Sequence, residues 1–142
     1  MIPPDDQTSA TFVISGPGVD RGALSDAVGV PSDHGRVQLG AFEPGGWMVS
    51  SRDIVESDDL DDHLAHLLDL LAPNAPLFAD LRGLGASARM VCHWDHCRDY
   101  PSMFLAEATI ARIAALGAHV ELDLVRVRDE HDGDDAEARP GC

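Results

Sequence analysis

The sequence predicts an α+β domain with a mixed, mostly antiparallel sheet of about five strands and three to four helices packed mainly on one face. Two observations predict this class. Short apolar runs rich in β-forming residues alternate with amphipathic helical stretches, and the connections between them are a mixture of hairpins and helical crossovers. A ferredoxin-like core is the nearest common template for part of the chain. The 142 residues, 44% of them hydrophobic, suit one domain with a single core.

The chain is predicted to have a folded body and two polar ends. Residues 1–9 contain Pro3-Pro4 and no apolar run, and we expect them to form a flexible N-terminal arm. Residues 10–127 are predicted to be the single domain. Residues 128–142 are predicted to form an acidic, disordered tail, because hydrophobic residues become scarce there.

The domain is predicted to begin with a strand, a turn and a short helix. The strand covers residues 10–15 (ATFVIS), and Gly16-Pro17-Gly18 indicates a turn after it. This glycine pattern lacks the further glycine or lysine of a phosphate-binding loop, so a plain turn is favoured. Asp20 is placed to cap a helix over residues 21–28, which Gly29 ends.

The middle of the sequence predicts a hairpin followed by two helices. Strands over residues 36–42 and 47–51 flank a Pro-Gly turn. A helix is predicted over residues 59–72 and is ended by Pro73, and a second short helix covers residues 75–83. The apolar stripe of the first helix consists of Leu60, Leu64, Leu67, Leu68 and Leu71.

The last third of the domain predicts a strand, a helix and a final strand. The first strand covers residues 88–96. The helix is expected to start at its cap Ser102 and to end at Leu116, with Gly117 as the C-terminal stop. The candidates for its buried face are Phe104, Ala108, Ile110, Ala111 and Ala114. The final strand covers residues 118–127, and its apolar face is predicted to carry Val120, Leu122 and Leu124.

Negative charge is concentrated in two stretches of the chain. The formal net charge is −15; residues 53–62 contain six acids and no base, and residues 129–142 contain six acids and one arginine. Nucleic acid is not an expected partner, because binding it requires clustered Lys and Arg. The charge suits an unidentified protein partner with a basic surface. The residues expected to meet it are Asp58, Asp59, Asp61 and Asp62.

The remaining composition predicts a cytoplasmic protein. No apolar run approaches the ~18 residues that a membrane span needs, so no membrane partner is expected. The first residues, MIPPDDQTSA, lack the basic and apolar regions of a signal peptide. Three cysteines in a chain without an export signal indicate free thiols.

The motif VCHWDHC contains residue types that bind zinc or take part in redox chemistry. Alternate residues of a strand face opposite sides, which puts Cys92 and Trp94 on one face and His93 and Asp95 on the other. Cys92 and His96 would lie ~13 Å apart along the strand, whereas zinc ligands converge within ~4 Å. A tetrahedral site is therefore disfavoured and no cofactor is predicted. We expect Cys92 and Trp94 to pack in the core.

Two strands supply a candidate polar site if they pair. His93 and Asp95 would share a sheet face with His119, Glu121 and Asp123 of the final strand. Paired carboxylates and histidines at such a face suit acid–base chemistry or a divalent metal. A solvated sheet face explains the same residues and is favoured.

A second pair of histidines lies in the leucine-rich helix. His63 and His66 are predicted to lie on its solvated face, where Asp59, Asp62 and Asp69 are near neighbours. A metal patch on this helix is the alternative, and the solvated face is favoured.

A series of segments resembles the DUF4279 family, a bacterial domain of unknown function. The resemblance covers about residues 10–127, and its most telling parts are Trp47, the stop at Pro73 and IAALGAHVELDL. The segments that carry it are ATFVISG, GGWMVSS, LDDHLAHLLDLLAP, LFADLRGLGA, FLAEATIARIAALGA and HVELDLV. The sequence departs from the family in lacking an aromatic residue soon after Asp123. The resemblance implies the fold and an immunity-type or accessory binding role, and it brings no catalytic residues.

These observations favour a non-enzymatic protein-binding module of immunity-like type that covers a partner surface with its acidic segment. The alternative is a small-ligand or metal-dependent enzyme that uses the polar sheet face. The sequence does not specify the oligomeric state.

Overall fold

The computed structural model describes residues 7–32, 46–52, 54–96 and 104–126. They form an α+β domain built on one mixed four-stranded sheet. The strands are β1 (Gln7–Ser15), β2 (Trp47–Ser50), β3 (Ser87–His96) and β4 (Ala118–Arg126). The helices are α1 (Arg21–Val28), α2 (Leu60–Leu71), α3 (Ala75–Gly83) and α4 (Glu107–Ala115), with a 3₁₀ turn (Ala72–Asn74) between α2 and α3.

The sheet order is β2-β1-β3-β4. β1 is antiparallel to β2 and to β3, while β3 and β4 are parallel and are connected through α4. The described residues contain four strands rather than the five predicted, and the strand predicted over residues 36–42 lies outside them. Because β3 and β4 are direct neighbours, the described strands do not form the split βαβ unit of a ferredoxin-like core.

All four helices contribute to one apolar core against a single face of the sheet. The strand residues in this core alternate along β1 and β3, because successive side chains of a strand face opposite sides. They are Ala10, Phe12, Ile14, Trp47, Val49, Ala88, Met90 and Cys92. A smaller buried cluster of Val13, Met48 and Val91 lies on the opposite face. Cys92 and Trp94 are buried, as predicted.

The leucine-rich helix α2 has the N-terminal cap, the proline stop and the apolar stripe that its sequence predicts. Asp59 caps α2 by accepting a hydrogen bond from the Asp61 N–H at 3.0 Å. Pro73 ends α2 without turning the chain away, because it occupies the first turn of the 3₁₀ segment, where a missing N–H costs little. The chain therefore continues into α3. The buried residues of α2 are Leu60, His63, Leu64, Leu67, Leu68 and Leu71.

The prediction for the last helix is wrong in its start and in its buried face. Residues 104–106 are not helical, α4 begins at Glu107, and Phe104 is exposed. The helix is anchored by Thr109 and Ile113, whose spacing of four places them on one face toward the core. The residues predicted to be buried are exposed instead: Phe104, Ala108, Ile110, Ala111 and Ala114. The alanine-rich composition left the phase of the helix ambiguous.

The start of β1 and the turn that follows it differ in how well the sequence predicted them. β1 begins at Gln7, so the strand extends into the segment predicted as an arm, and residues 1–6 and 127–142 lie outside the described part of the chain. A Cβ atom on Gly16 would lie 2.8 Å from the Ala86 Cα, which explains the glycine at this turn.

Among the described residues, no helix combines the length and the apolar character needed to cross a membrane.

Candidate functional site

The polar residues predicted from the sequence do share one face of the sheet. The parallel register of β3 and β4 sets Arg89 beside His119 and His93 beside Asp123. Glu121 lies between them on the same face because it is two residues from both His119 and Asp123 along β4. The face opposite to the four helices therefore carries two adjacent ionic clusters.

The first cluster has His93 between two carboxylates. Its Nε2 lies 2.8 Å from Asp95 Oδ1, and its Nδ1 lies 2.9 Å from Asp123 Oδ2. Both ring nitrogens of His93 are therefore in contact with carboxylates, and neither is free to accept a proton from a substrate.

The second cluster joins Arg89, Glu121 and His119. The Arg89 guanidinium contacts both carboxylate oxygens of Glu121, at 3.1 and 3.0 Å. His119 Nε2 lies 3.4 Å from the same carboxylate. The hydrogen bond from Arg89 is the main reason that the pKa of Glu121 is lowered below its ordinary value. His119 therefore contacts Glu121 rather than completing a site with His93.

These clusters do not bring metal ligands together. No group of three His, Cys, Asp or Glu side chains suited to hold a metal ion exists within the described residues. Burial raises the pKa of the Cys92 thiol to about 11, which keeps it protonated, whereas the thiolate is the form that binds metals. The strand splits the VCHWDHC motif between its two faces, with Cys92 in the core and His93 on the polar side. Cys97 lies outside the described residues.

A buried polar connection, which we call the Ser51–His63 link, joins β1, the segment after β2 and helix α2. The Ser51 hydroxyl lies 2.6 Å from His63 Nδ1 and also accepts the Ala10 N–H at 2.9 Å. His63 Nε2 lies 2.7 Å from the main-chain carbonyl oxygen of Ser57. A carbonyl oxygen only accepts, so Nε2–H donates to it, and in the neutral ring Nδ1 accepts from Ser51.

The Ser51–His63 link corrects the prediction that His63 lies on a solvated helix face. His63 is 1% exposed. The signal was present in the sequence: His63 follows Leu60 by three residues and precedes Leu67 by four, which places it on the leucine stripe. The acidic neighbours of His63 are typical of a solvated face, but its phase on the helix places it toward the core.

The acidic residues predicted to meet a partner lie on the segment that this link holds. Asp58 is exposed, and within the described residues no hydrogen bond reaches its carboxylate; its main-chain oxygen accepts from the Thr8 hydroxyl. The other three have intramolecular roles. Asp59 caps α2, Asp61 Oδ1 accepts the Ala106 N–H at 3.1 Å, and Asp62 Oδ2 accepts from the Ser57 hydroxyl at 2.7 Å.

A small apolar cleft lies on the helical side of the domain. It has a volume of about 120 Å³ and lies between α2, the 3₁₀ turn, α3 and α4. Its single charged lining residue is Arg112, which is paired with Asp69 at 2.7 Å. The cleft is therefore separated by the sheet from both ionic clusters.

Comparison with known proteins gives one match. The family model described as "Domain of unknown function (DUF4279)" matches residues 35–126, which is more than half of the chain. No curated protein and no solved structure matches the chain.

Proposed function

The chain belongs to the DUF4279 family of domains of unknown function, and we propose that it is a non-enzymatic protein-binding module that meets a basic partner surface with its acidic segment. In its most specific form the role is immunity-like: the module covers a functional surface of another protein. The segment is defined as residues 54–62, which contain five acids and no base.

The observation that supports this proposal most is the way the acidic segment is held. The Ser51–His63 link fixes the main chain at Ser57 from inside the domain. A bond from Thr8 to the Asp58 main-chain oxygen fixes the next residue. The carboxylates of Glu56 and Asp58 remain exposed. A main chain that is already fixed loses little conformational entropy on binding, which favours affinity for a complementary surface.

The charge of the segment suits a partner rich in Arg and Lys. Like charges on a short segment raise the local potential and steer a basic protein toward it. Exposed charges are screened over about 8 Å at physiological ionic strength. The complex should therefore weaken as the salt concentration rises.

The polar sheet face supports the alternative enzyme less well. A general base needs a ring nitrogen that reaches its substrate. Both nitrogens of His93 are engaged by Asp95 and Asp123, so catalysis would first require one of these carboxylates to leave. The two clusters are accounted for as cross-strand ion pairs that hold β4 to β3.

A charge-reversal experiment tests the proposal without disturbing the fold. The test variant carries Glu56→Arg and Asp58→Arg, which spares the carboxylates that cap α2 and bind main-chain or hydroxyl groups. The control variant carries Asp26→Arg and Asp80→Arg on exposed positions of α1 and α3. Both variants change the net charge by the same amount.

Each protein is immobilised, and bound proteins from a lysate of the source cells are quantified by mass spectrometry at two salt concentrations. We expect a partner that is retained by the wild type and the control and is reduced at least about tenfold with the test variant. The retained protein should be basic and should elute as salt rises. Equal capture by all three proteins would contradict the proposed surface.

A further inference from the structure

Among the described strands β4 lies at the edge of the sheet, and no described helix or strand covers its apolar side chains. The sheet order places β4 beside β3 alone among the described strands. Eight large hydrophobic residues are exposed in the described part of the chain, and four of them lie on β4. Val120, Leu122 and Leu124 are 42%, 59% and 50% exposed. The sequence predicted this apolar face, and the structure shows that the helices do not cover it.

The stripe formed by Val120, Leu122 and Leu124 continues the core face of the sheet. In the parallel register, Leu122 lies beside Cys92 and Leu124 beside Trp94, which are both buried. The apolar face thus runs from the core to the sheet edge and remains open there. Contiguous exposed apolar surface of this kind marks an interaction site in soluble proteins.

The edge also lacks the features that normally prevent strand pairing. Natural edge strands carry proline, bulges or unpaired charges that point into the pairing region. β4 contains no proline, and its register with β3 runs without a bulge from Ala118 to Arg126. Its acids are already engaged: Glu121 is paired with Arg89 and Asp123 with His93.

We propose that two copies of this chain pair through β4, antiparallel about a two-fold axis at Leu122, so that their described four-stranded sheets join into one continuous sheet. A two-fold interface uses the same surface on both copies. In this register Leu122 meets Leu122 of the second copy, and Val120 meets Leu124 of the second copy. The stripe is symmetric about its centre, so each of its three side chains gains an apolar neighbour, while Val125 on the other face meets His119 of the second copy.

A second copy fits this edge better than an unrelated extended peptide. The polar face brings Glu121 opposite Asp123 of the second copy, a pairing that would repel if both carboxylates were free. Arg89 lies against Glu121 in each copy and offsets the charge of that carboxylate. A second copy also presents the same uncovered stripe, in a register where Val120, Leu122 and Leu124 all meet apolar side chains.

The net charge of −15 gives the dimer a distinct response to salt. Two acidic chains repel each other, and salt screens this repulsion. We therefore expect the dimer to tighten as salt rises. The complex with a basic partner responds in the opposite direction, so the two interactions are separable.

Sedimentation velocity of the full chain, over a micromolar to millimolar concentration series, measures the dimer. We expect the mass to rise from the 15.2 kDa of one chain toward twice that value. The test variant, Leu122→Lys with Leu124→Lys, should remain monomeric. The control variant, Ile54→Lys with Leu84→Lys, alters residues that are 54% and 64% exposed outside β4 and should dimerise like the wild type.

A milder variant guards against misfolding of the lysine variant. Leu122→Thr with Leu124→Thr keeps residues that favour strands and removes only apolar contact. It should retain the wild-type circular dichroism spectrum and raise the dissociation constant at least about tenfold. A wild type that is monomeric at every concentration, or a dimer that the threonine variant leaves unchanged, would overturn the proposal.

Discussion

The Ser51–His63 link predicts a large loss of stability from the removal of one hydroxyl group. Ser51→Ala leaves His63 Nδ1 and the Ala10 N–H without their partner, and both residues are essentially inaccessible to water. An unsatisfied buried polar group costs about 1–3 kcal/mol. The two groups together should cost about 2–6 kcal/mol, a substantial part of the 5–15 kcal/mol that is typical of a domain.

Urea unfolding measures this loss. The buried indoles of Trp47 and Trp94 report unfolding by fluorescence. With a urea dependence of about 2 kcal/mol per molar, the midpoint for Ser51→Ala should fall by about 1–3 M. The matched control is Ser57→Ala, because the Ser57 main-chain oxygen still accepts from His63, and water can replace the exposed hydroxyl.

The control should cost less than about 1 kcal/mol. If Ser51→Ala and Ser57→Ala shifted the midpoint equally, the buried hydroxyl would not be a determinant of stability. The Ser51–His63 link would then not be the contact that holds the acidic segment.

Three further predictions follow from individual contacts. Gly117→Ala should cost about 1–3 kcal/mol in thermal unfolding, mainly because φ is +74°; the new Cβ would also displace the flexible Arg82 guanidinium. At pH 8 the Cys92 thiol, whose pKa burial raises to about 11, should resist iodoacetamide in the folded protein and react in guanidinium, as mapped by mass spectrometry. Arg89→Met should raise the pKa of Glu121 toward its ordinary value, as measured by NMR titration. In the wild type, this lowered pKa contributes stability above the unfolded-state pKa that is lost as the pH falls through the folded-state pKa.

Each of these predictions has a control or an opposing result. Gly29 also has a positive φ, but no atom lies within 4 Å of a Cβ placed there. Gly29→Ala therefore measures backbone strain alone, and an equal cost at Gly117 would exclude the steric contribution of Arg82. Labelling of folded protein at Cys92 would contradict its burial. An unchanged Glu121 titration in Arg89→Met would show that the guanidinium does not control this carboxyl.

The sequence was most informative where one periodicity dominated. The leucine spacing of α2 and the glycine at position 29 predicted helices close to those observed. Alternation in residues 119–124 predicted both faces of β4. What alternation does not specify is whether a helix covers the apolar face, because coverage depends on the sheet order and on where α4 lies.

The errors have identifiable physical causes. In α4, alanines are compatible with either face, so Thr109 and Ile113 determined the buried side without a strong apolar signal. In α2, histidine is a polar residue type, so the sequence favoured a solvated position for His63. The structure buries it on the leucine stripe, where its hydrogen-bond partner is Ser51, 12 residues earlier in the chain. The adjacency of β3 and β4, which brings His93 to Asp123, was a hypothesis from sequence because pairing between distant strands leaves no local pattern.

Site-specific photo-crosslinking tests the central claim, that the acidic segment is the partner-binding surface, most directly. A benzophenone-bearing residue is placed at Asp58 in one protein and at the exposed Asp26 of α1 in another, and both are irradiated in a lysate of the source cells. The account predicts a covalent adduct from position 58 to an Arg- or Lys-rich segment of a single partner and none from position 26. An adduct that forms equally from position 26, or none from position 58 with a partner that still binds, would contradict it.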